Sequence, residues 1–238
     1  MTESRTNSFL KMRPLFEEET CTHTFLLYDS RSMEGVLIDA VKEMMDRDIN
    51  LIKELGVDLK YLLETHVHAD HITSASEIRD RLGALVIYGA SAGVDCADLI
   101  LEDGEELAFG QFIVKAISTP GHTDGCTTYQ IENMIFTGDT LLIRGCGRTD
   151  FQQGSSENLY NSVNNKLFTL PDDTIVYPAH DYKGMWSSTI GEEKKHNPRL
   201  GSGKTLEEFV VIMDNLNLAY PQKIDESVPA NMKCGKLN

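Results

Sequence analysis

Among the 238 residues no apolar run approaches the roughly 20 that a membrane-spanning helix needs. Nor is there an internal repeat, a low-complexity tract, or a linker that differs in composition from its surroundings. Positive charge is scarce: 22 Lys and Arg stand against 37 Asp and Glu, a formal charge of -15. An acidic surface repels phosphate backbones, which argues against nucleic acid as a partner. The five cysteines (Cys21, Cys96, Cys126, Cys146 and Cys234) are odd in number, scattered, and never spaced as CxxC. That pattern argues against a disulfide framework or a structural zinc site, and for a reducing compartment. The N-terminus, MTESRTNSFLKMR, has no apolar stretch of the kind that starts a secretory signal. With Arg5, Lys11 and Arg13 against Glu3, it reads as a frayed terminus rather than the end of a mitochondrial presequence.

What remains is an ordinary globular composition, 41% hydrophobic and 25% charged. The length fits one domain over residues 1–238, with a short C-terminal extension from about residue 217 to 238 that holds Pro221 and Pro229. THTFLLYDS and EGVLIDA read as a hairpin turning near Ser32. Asp46 to Gly56 reads as a helix with Ile49, Ile52 and Leu55 on one face and a glycine stop. The strand YLLET, a helix from Thr73 to Gly83 and the strand ALVIY follow, then FIVKAIS, CTTYQI and MIFTG as strands with tight turns. Asn158 to Phe168 is helical, TIVYP is a strand, and helices close the chain near Ser187 to Lys195 and Thr205 to Leu216. The order predicts an α+β fold of two sheets flanked by helices.

One pattern repeats at the strand ends. YLLET runs into THVHADH, which carries His66, His68, Asp70 and His71. FIVKAIS runs into Pro120-Gly121-His122, MIFTG into Asp139, and TIVYPA into His180. Loops beyond strand ends are where a rigid scaffold gathers ligating and catalytic groups. Taken alone, GHTDG at 121–125 is a turn and His122 an ordinary polar residue; taken together, the set is a metal constellation, since imidazole and carboxylate are ligands of Zn, Fe and Mn. His66 and His68 lie two apart on extended chain, and Asp70 and His71 are placed at the opening of the next helix. By ligand count the motif supplies two adjacent metal sites. His23 and His196 lack such a setting and are placed on a strand surface and near a helix end, without a catalytic role.

HxHxDH, a PGHT loop, a GD strand end and a later PAHD, in this order across about the whole chain, resemble the metallo-β-lactamase superfamily. That resemblance implies an αβ/βα sandwich, two mixed sheets flanked by helices, with the metal site at one edge. The segment after Asp139, TLLIRGCGRTDFQQGS, together with YPAHDYKG, HNPRL, MDNLNL and VPANMKCG, resembles the persulfide dioxygenases. Thr140 departs from the alanine frequent there, and Asp124 occupies a variable position; neither removes a ligand. The alternative is a glyoxalase II-like dinuclear hydrolase of glutathione thioesters. Its comparable segment resembles GCGxFFEG, and only 58 residues follow His180 here, little room for that family's C-terminal helical domain. Flavodiiron proteins carry Glu where this chain has His68. A non-catalytic binding module would be expected to have lost ligands, and none is missing.

The resemblance implies oxidation of glutathione persulfide by O2 to sulfite and glutathione at one non-haem Fe(II). It implies His66, His122 and Asp139 as the ligands, a 2-His-1-carboxylate triad that leaves positions open. His68, Asp70, His71 and His180 then surround the iron, fixing ligand tautomers and orientation. Tyr182, with His180, is assigned to the catalytic machinery, its hydroxyl donating to the bound sulfur or to glutathione. Anionic glutathione at an acidic protein needs local cations, and Arg148, Lys183 and Arg199 lie in the motif segments; Arg148 as a loop anchor is an equal reading. The relatives imply a homodimer, in the mitochondrial matrix or the cytoplasm.

Overall fold

The structure, a computed structural model, describes residues 9–236. The first sheet has six strands: β1 (Leu10–Glu17), β2 (Thr22–Asp29), β3 (Glu34–Ile38), β4 (Asp58–Leu63), β5 (Leu85–Gly89) and β6 (Leu99–Leu101), in that spatial order. β1, β2 and β3 are antiparallel neighbours; β3 to β6 are parallel. The second sheet is β7 (Glu106–Phe109), β8 (Phe112–Ser118), β9 (Thr127–Ile131), β10 (Met134–Gly138), β11 (Ile175–Pro178) and β12 (Ser188–Thr189). It is antiparallel except where β10 meets β11. Six α-helices flank the sheets: α1 (Met45–Leu55), α2 (Ala75–Leu82), α3 (Ser156–Asn165), α4 (Ile190–His196), α5 (Leu206–Asp214) and α6 (Ile224–Asn231).

The period of the strands explains the layers. On β2, Phe25 and Leu27 enter the cluster between the sheets, meeting Phe109, Phe112, Tyr129 and Phe136, while Leu26 and Tyr28 point the other way. Those two meet Ile49 and Ile52 of α1 and Ile78 of α2. β2 is therefore buried at every residue, and its residues 25–28 read as an apolar run rather than an alternation. A third cluster packs Leu159 and Val163 of α3, Ile190 of α4 and Phe209 and Met213 of α5 on Ile135 and Val176. The result is the predicted sandwich, helices on both outer faces.

Some expectations are corrected. Lys11 and Arg13 lie on β1, an edge strand paired with β2 throughout, and not on a frayed terminus; Arg5 and Glu3 fall outside the described residues. α2 starts at Ala75, so Asp70 and His71 sit in the loop before it and gain nothing from its N-terminus. His23 is buried, its ring stacked on Trp186 and its Nδ1 3.2 Å from the Pro178 carbonyl. Cys96 and Cys234 are disulfide-bonded, with Cα atoms 5.8 Å apart and 138 residues between them in sequence. No CxxC spacing marks that pair because the fold, not the sequence, brings the two together. Among the described residues, the segment after residue 217 contains α6, with Pro229 inside it.

Candidate metal centre

Four strand ends meet at one edge, one from the first sheet and three from the second. β4 delivers His66 and His68, β8 leads to His122, β10 ends on Gly138 before Asp139, and β11 ends two residues before His180. Gly138 sits at φ +52°, and a Cβ there would lie 2.5 Å from the Thr65 hydroxyl. Gly147 is as constrained: its Cβ would lie 2.5 Å from the Asp139 carbonyl and 2.8 Å from the His122 ring. These glycines let the four loops close up.

His66, His122 and Asp139 bring one ligand-capable atom each to within 4.8 Å of one another. His122 Nδ1 lies 2.7 Å from the Arg148 carbonyl, which can only accept, so Nδ1 carries the proton and Nε2 the lone pair. The Thr65 hydroxyl donates to Asp39 at 2.9 Å, so the 3.0 Å contact of His66 Nδ1 with the same oxygen has the ring donating. His66 Nε2 then also keeps its lone pair. Burial first, and the neighbouring His68 and His122 next, hold the His66 pKa well below the usual histidine range, so the ring stays neutral. Burial pushes the Asp139 carboxyl up, but His180, then His122 and His66, outweigh it and hold Asp139 low. Two imidazoles with engaged Nδ1 protons and a carboxylate fit a first-row metal such as Fe(II).

The remaining histidines bond to carboxylates. His180 Nδ1 is 2.7 Å from Asp139 and its Nε2 is 3.0 Å from Asp70, so both nitrogens are engaged. Although burial opposes it, the two carboxylates raise its pKa well above the usual range. His71 Nδ1 lies 3.1 Å from Asp70. His68 Nε2 donates to Asp39 at 3.1 Å, with Glu64 at 3.5 Å. Burial drives Glu64 up to about 8; against the same burial, Asp39 and then Glu64 raise His68 to about 9. His68, Asp70 and His71 form another group of ligand-capable atoms within 4.8 Å, and His68 Nδ1 and His71 Nε2 are buried without a hydrogen-bond partner.

A cavity of about 530 Å³ opens over His122, Asp139 and His180, within the usual range for small-molecule sites. Its apolar wall includes Leu142, Ile143, Leu218 and Pro221; Tyr182, Lys183, Arg148 and Arg199 also border it. The Tyr182 ring is parallel to that of His180 at 6.2 Å and is largely exposed. Arg148 is held by both oxygens of Asp150, at 2.6 and 2.7 Å, and by the Ala219 carbonyl, which makes it an anchor for the cavity wall. Arg199 donates to the Cys146 carbonyl at 2.7 Å.

Two contributors escaped the sequence reading. Asp39, at the end of β3 with φ +53°, accepts from the Thr65 amide and hydroxyl and from His68, so one carboxylate sets the start of the histidine loop. Asn231, at the end of α6 and fully buried, accepts from the Thr73 amide and donates to the His68 and His71 carbonyls at 2.8 Å each. The only hint was that VPANMKCG, which holds Asn231, belongs to the resembling segments.

A model of the metallo-beta-lactamase superfamily matches residues 24–180. Persulfide dioxygenase ETHE1, mitochondrial, of Bos taurus is 52% identical over 94% of this chain and 88% of its own. The Homo sapiens protein of that name is 53% identical over the same shares. The chain belongs to the metallo-β-lactamase superfamily, among its persulfide dioxygenases. In three dimensions it is similar to ETHE1 from Myxococcus xanthus, with a TM-score of 0.93 at 48% identity, over 95% of this chain and 100% of that one. The superfamily's fold and this chain's sandwich agree, and the family is that of an oxygen-using oxidoreductase.

Proposed function

We infer that this protein oxidises the outer sulfur of glutathione persulfide with O2, giving sulfite and glutathione, at one Fe(II) per chain held by His66, His122 and Asp139. The observation that carries the reading is the pair of imidazoles whose Nδ1 protons are engaged by Thr65 and Arg148, leaving two Nε2 lone pairs beside the Asp139 carboxylate. Iron, when bound, supplies the electrons that let triplet O2 react, which redox-inert zinc does not.

The chain's own residues do the rest. His180 holds Asp139 through Nδ1 and is itself held by Asp70, which fixes the carboxylate's orientation. Leu142, Ile143, Leu218 and Pro221 exclude water from one wall of the cavity, strengthening electrostatic contacts inside. Lys183 and Arg199 provide positive charge for the glutathione carboxylates, and Tyr182 presents its hydroxyl at the mouth. Arg148 acts by positioning the wall that Ala219 belongs to.

A second reading, the dinuclear thioester hydrolase, draws on His68, Asp70 and His71 and their two unpartnered nitrogens. It is the weaker one, because the relatives quoted are persulfide dioxygenases. Metal analysis of anaerobically purified protein, with an oxygen electrode, separates them. About one iron per chain and O2 uptake with glutathione persulfide supports the first; two zinc ions with rapid S-lactoylglutathione hydrolysis overturns it.

By the same likeness we assign a single domain with the extension from about residue 217, a homodimer, and a mitochondrial-matrix or cytoplasmic setting. Among the described residues no helix is long and apolar enough to cross a membrane. The charge of -15 argues against nucleic acid. Light scattering after size exclusion checks the dimer.

A further inference from the structure

The Cys96–Cys234 disulfide lies outside the metal site, yet its far end is tied to it. Cys234 is fully buried, and its carbonyl accepts from the Ser76 amide at 3.1 Å. Three residues earlier Asn231 holds the carbonyls of His68 and His71 and the amide of Thr73. Cys96 is partly exposed. It borders a basin of about 590 Å³ whose lining includes Lys233 and Lys236 beside Asp95, with Arg79 paired to Asp80 and Asp98. On a chain of charge -15, that is a local concentration of positive charge.

We propose that the Cys96–Cys234 pair is a thiol-exchange site for small anionic thiols, and that opening it frees the C-terminal helix that braces the histidine loop. The inference goes beyond the persulfide reading and does not rest on it. A thiolate drawn to the cationic basin attacks the Cys96 sulfur, since the Cys234 sulfur is enclosed. The new S–S bond joins the thiol to Cys96. The old one breaks, and Cys234 leaves as a thiolate that takes a proton from water. A second thiolate attacks the mixed disulfide, releasing Cys96 as a thiol and the small disulfide as product, so two thiols supply the two electrons that reduce the pair. With the covalent tie gone, α6 is held by the hydrogen bonds of Asn231, the Ser76–Cys234 backbone bond and the packing of Val228 and Ala230, in a helix only eight residues long with Pro229 inside.

The iron-loaded protein serves for the test, with reduced glutathione as the probe. Peptide mapping without reductant is expected to show Cys96 linked to Cys234, and a brief pulse of glutathione to place the adduct on Cys96. After opening, hydrogen exchange of the amides of residues 66–74 and 226–236 is expected to rise by about tenfold or more, as local stability falls. Cys96→Ser reproduces that rise without any thiol, and keeps the test valid should Cys234→Ser fail to fold. Lys236→Glu slows opening by glutathione about 3- to 10-fold but not opening by cationic cysteamine, if charge steers the attack. Absence of the linked peptide, an adduct confined to Cys21, or unchanged exchange at 66–74 in both the opened protein and Cys96→Ser overturns the proposal.

Discussion

Two triplets of potential ligands lie within one loop of each other. His66, His122 and Asp139 form one; Asp39, Glu64 and His68 form the other, and in each the ligand atoms lie within 4.8 Å of one another. The first borders an open cavity through His122 and Asp139. The second is sealed at no more than 2% exposure. In the first, backbone and hydroxyl oxygens take the Nδ1 protons and leave Nε2 free. In the second, Asp39 accepts from Thr65 and His68 and Glu64 accepts from Thr73, while Glu64 Oε2 and His68 Nδ1 stay without a hydrogen-bond partner among the described residues but are walled off from the cavity. Proximity of ligand atoms therefore does not define a metal site. What defines it is lone pairs left unspent next to space that a substrate can enter.

The largest test of that contrast is His122→Ala. Loss of a ligand worth several kcal/mol should empty the site and cut O2 consumption by about 10³-fold or more, read by metal analysis and an oxygen electrode. His68→Ala, in the sealed triplet, should keep iron and weaken its affinity only about 10- to 100-fold, as for residues that orient ligands. Equal loss in both variants would erase the distinction.

A smaller effect comes from burial of a carboxylate with a poorer set of partners than Asp39 has. Asp48 in α1 is fully buried and paired with Arg47, and burial pushes its pKa up to about 6 from 3.8. A raised folded value means that its stabilisation is complete below the unfolded value near 3.8 and is lost as the pH climbs through about 6. Asp48→Asn should then gain about 2–3 kcal/mol at pH 8 and little at pH 3.5, measured by urea denaturation. The smallest effect belongs to the cavity rim: Lys183→Ala should raise KM for glutathione persulfide about 2- to 5-fold with kcat unchanged, because an exposed charge contributes under about 1 kcal/mol.

Local pattern carried much of this molecule. The strands FIVKAIS and MIFTG begin and end where the sequence places them, and α1 and α2 stop at Gly56 and Gly83, both at positive φ. The metal-capable constellation was legible because its members follow strand ends that the two sheets bring to one edge, while the choice of His66, His122 and Asp139 within it came from the resemblance. What stayed hidden depends on pairings distant in sequence. Asn231 reaches back 163 residues to His68, and Cys96 meets Cys234 across 138. β1 was hidden for another reason: as an edge strand it keeps charged and polar residues that read as a tail. Ligand counting alone favours two metals, and the choice of one came from the resemblance in the segment after Asp139.

The origin of the three ligands has one more consequence. His66 comes from the sheet of β4, and His122 and Asp139 from the sheet of β8 and β10. An ion shared among them would act as a rivet through both halves of the sandwich. Held at a hundred times its dissociation constant it would add about 2.7 kcal/mol to folding, so its loss would loosen the edge where the halves meet before it disturbed either sheet.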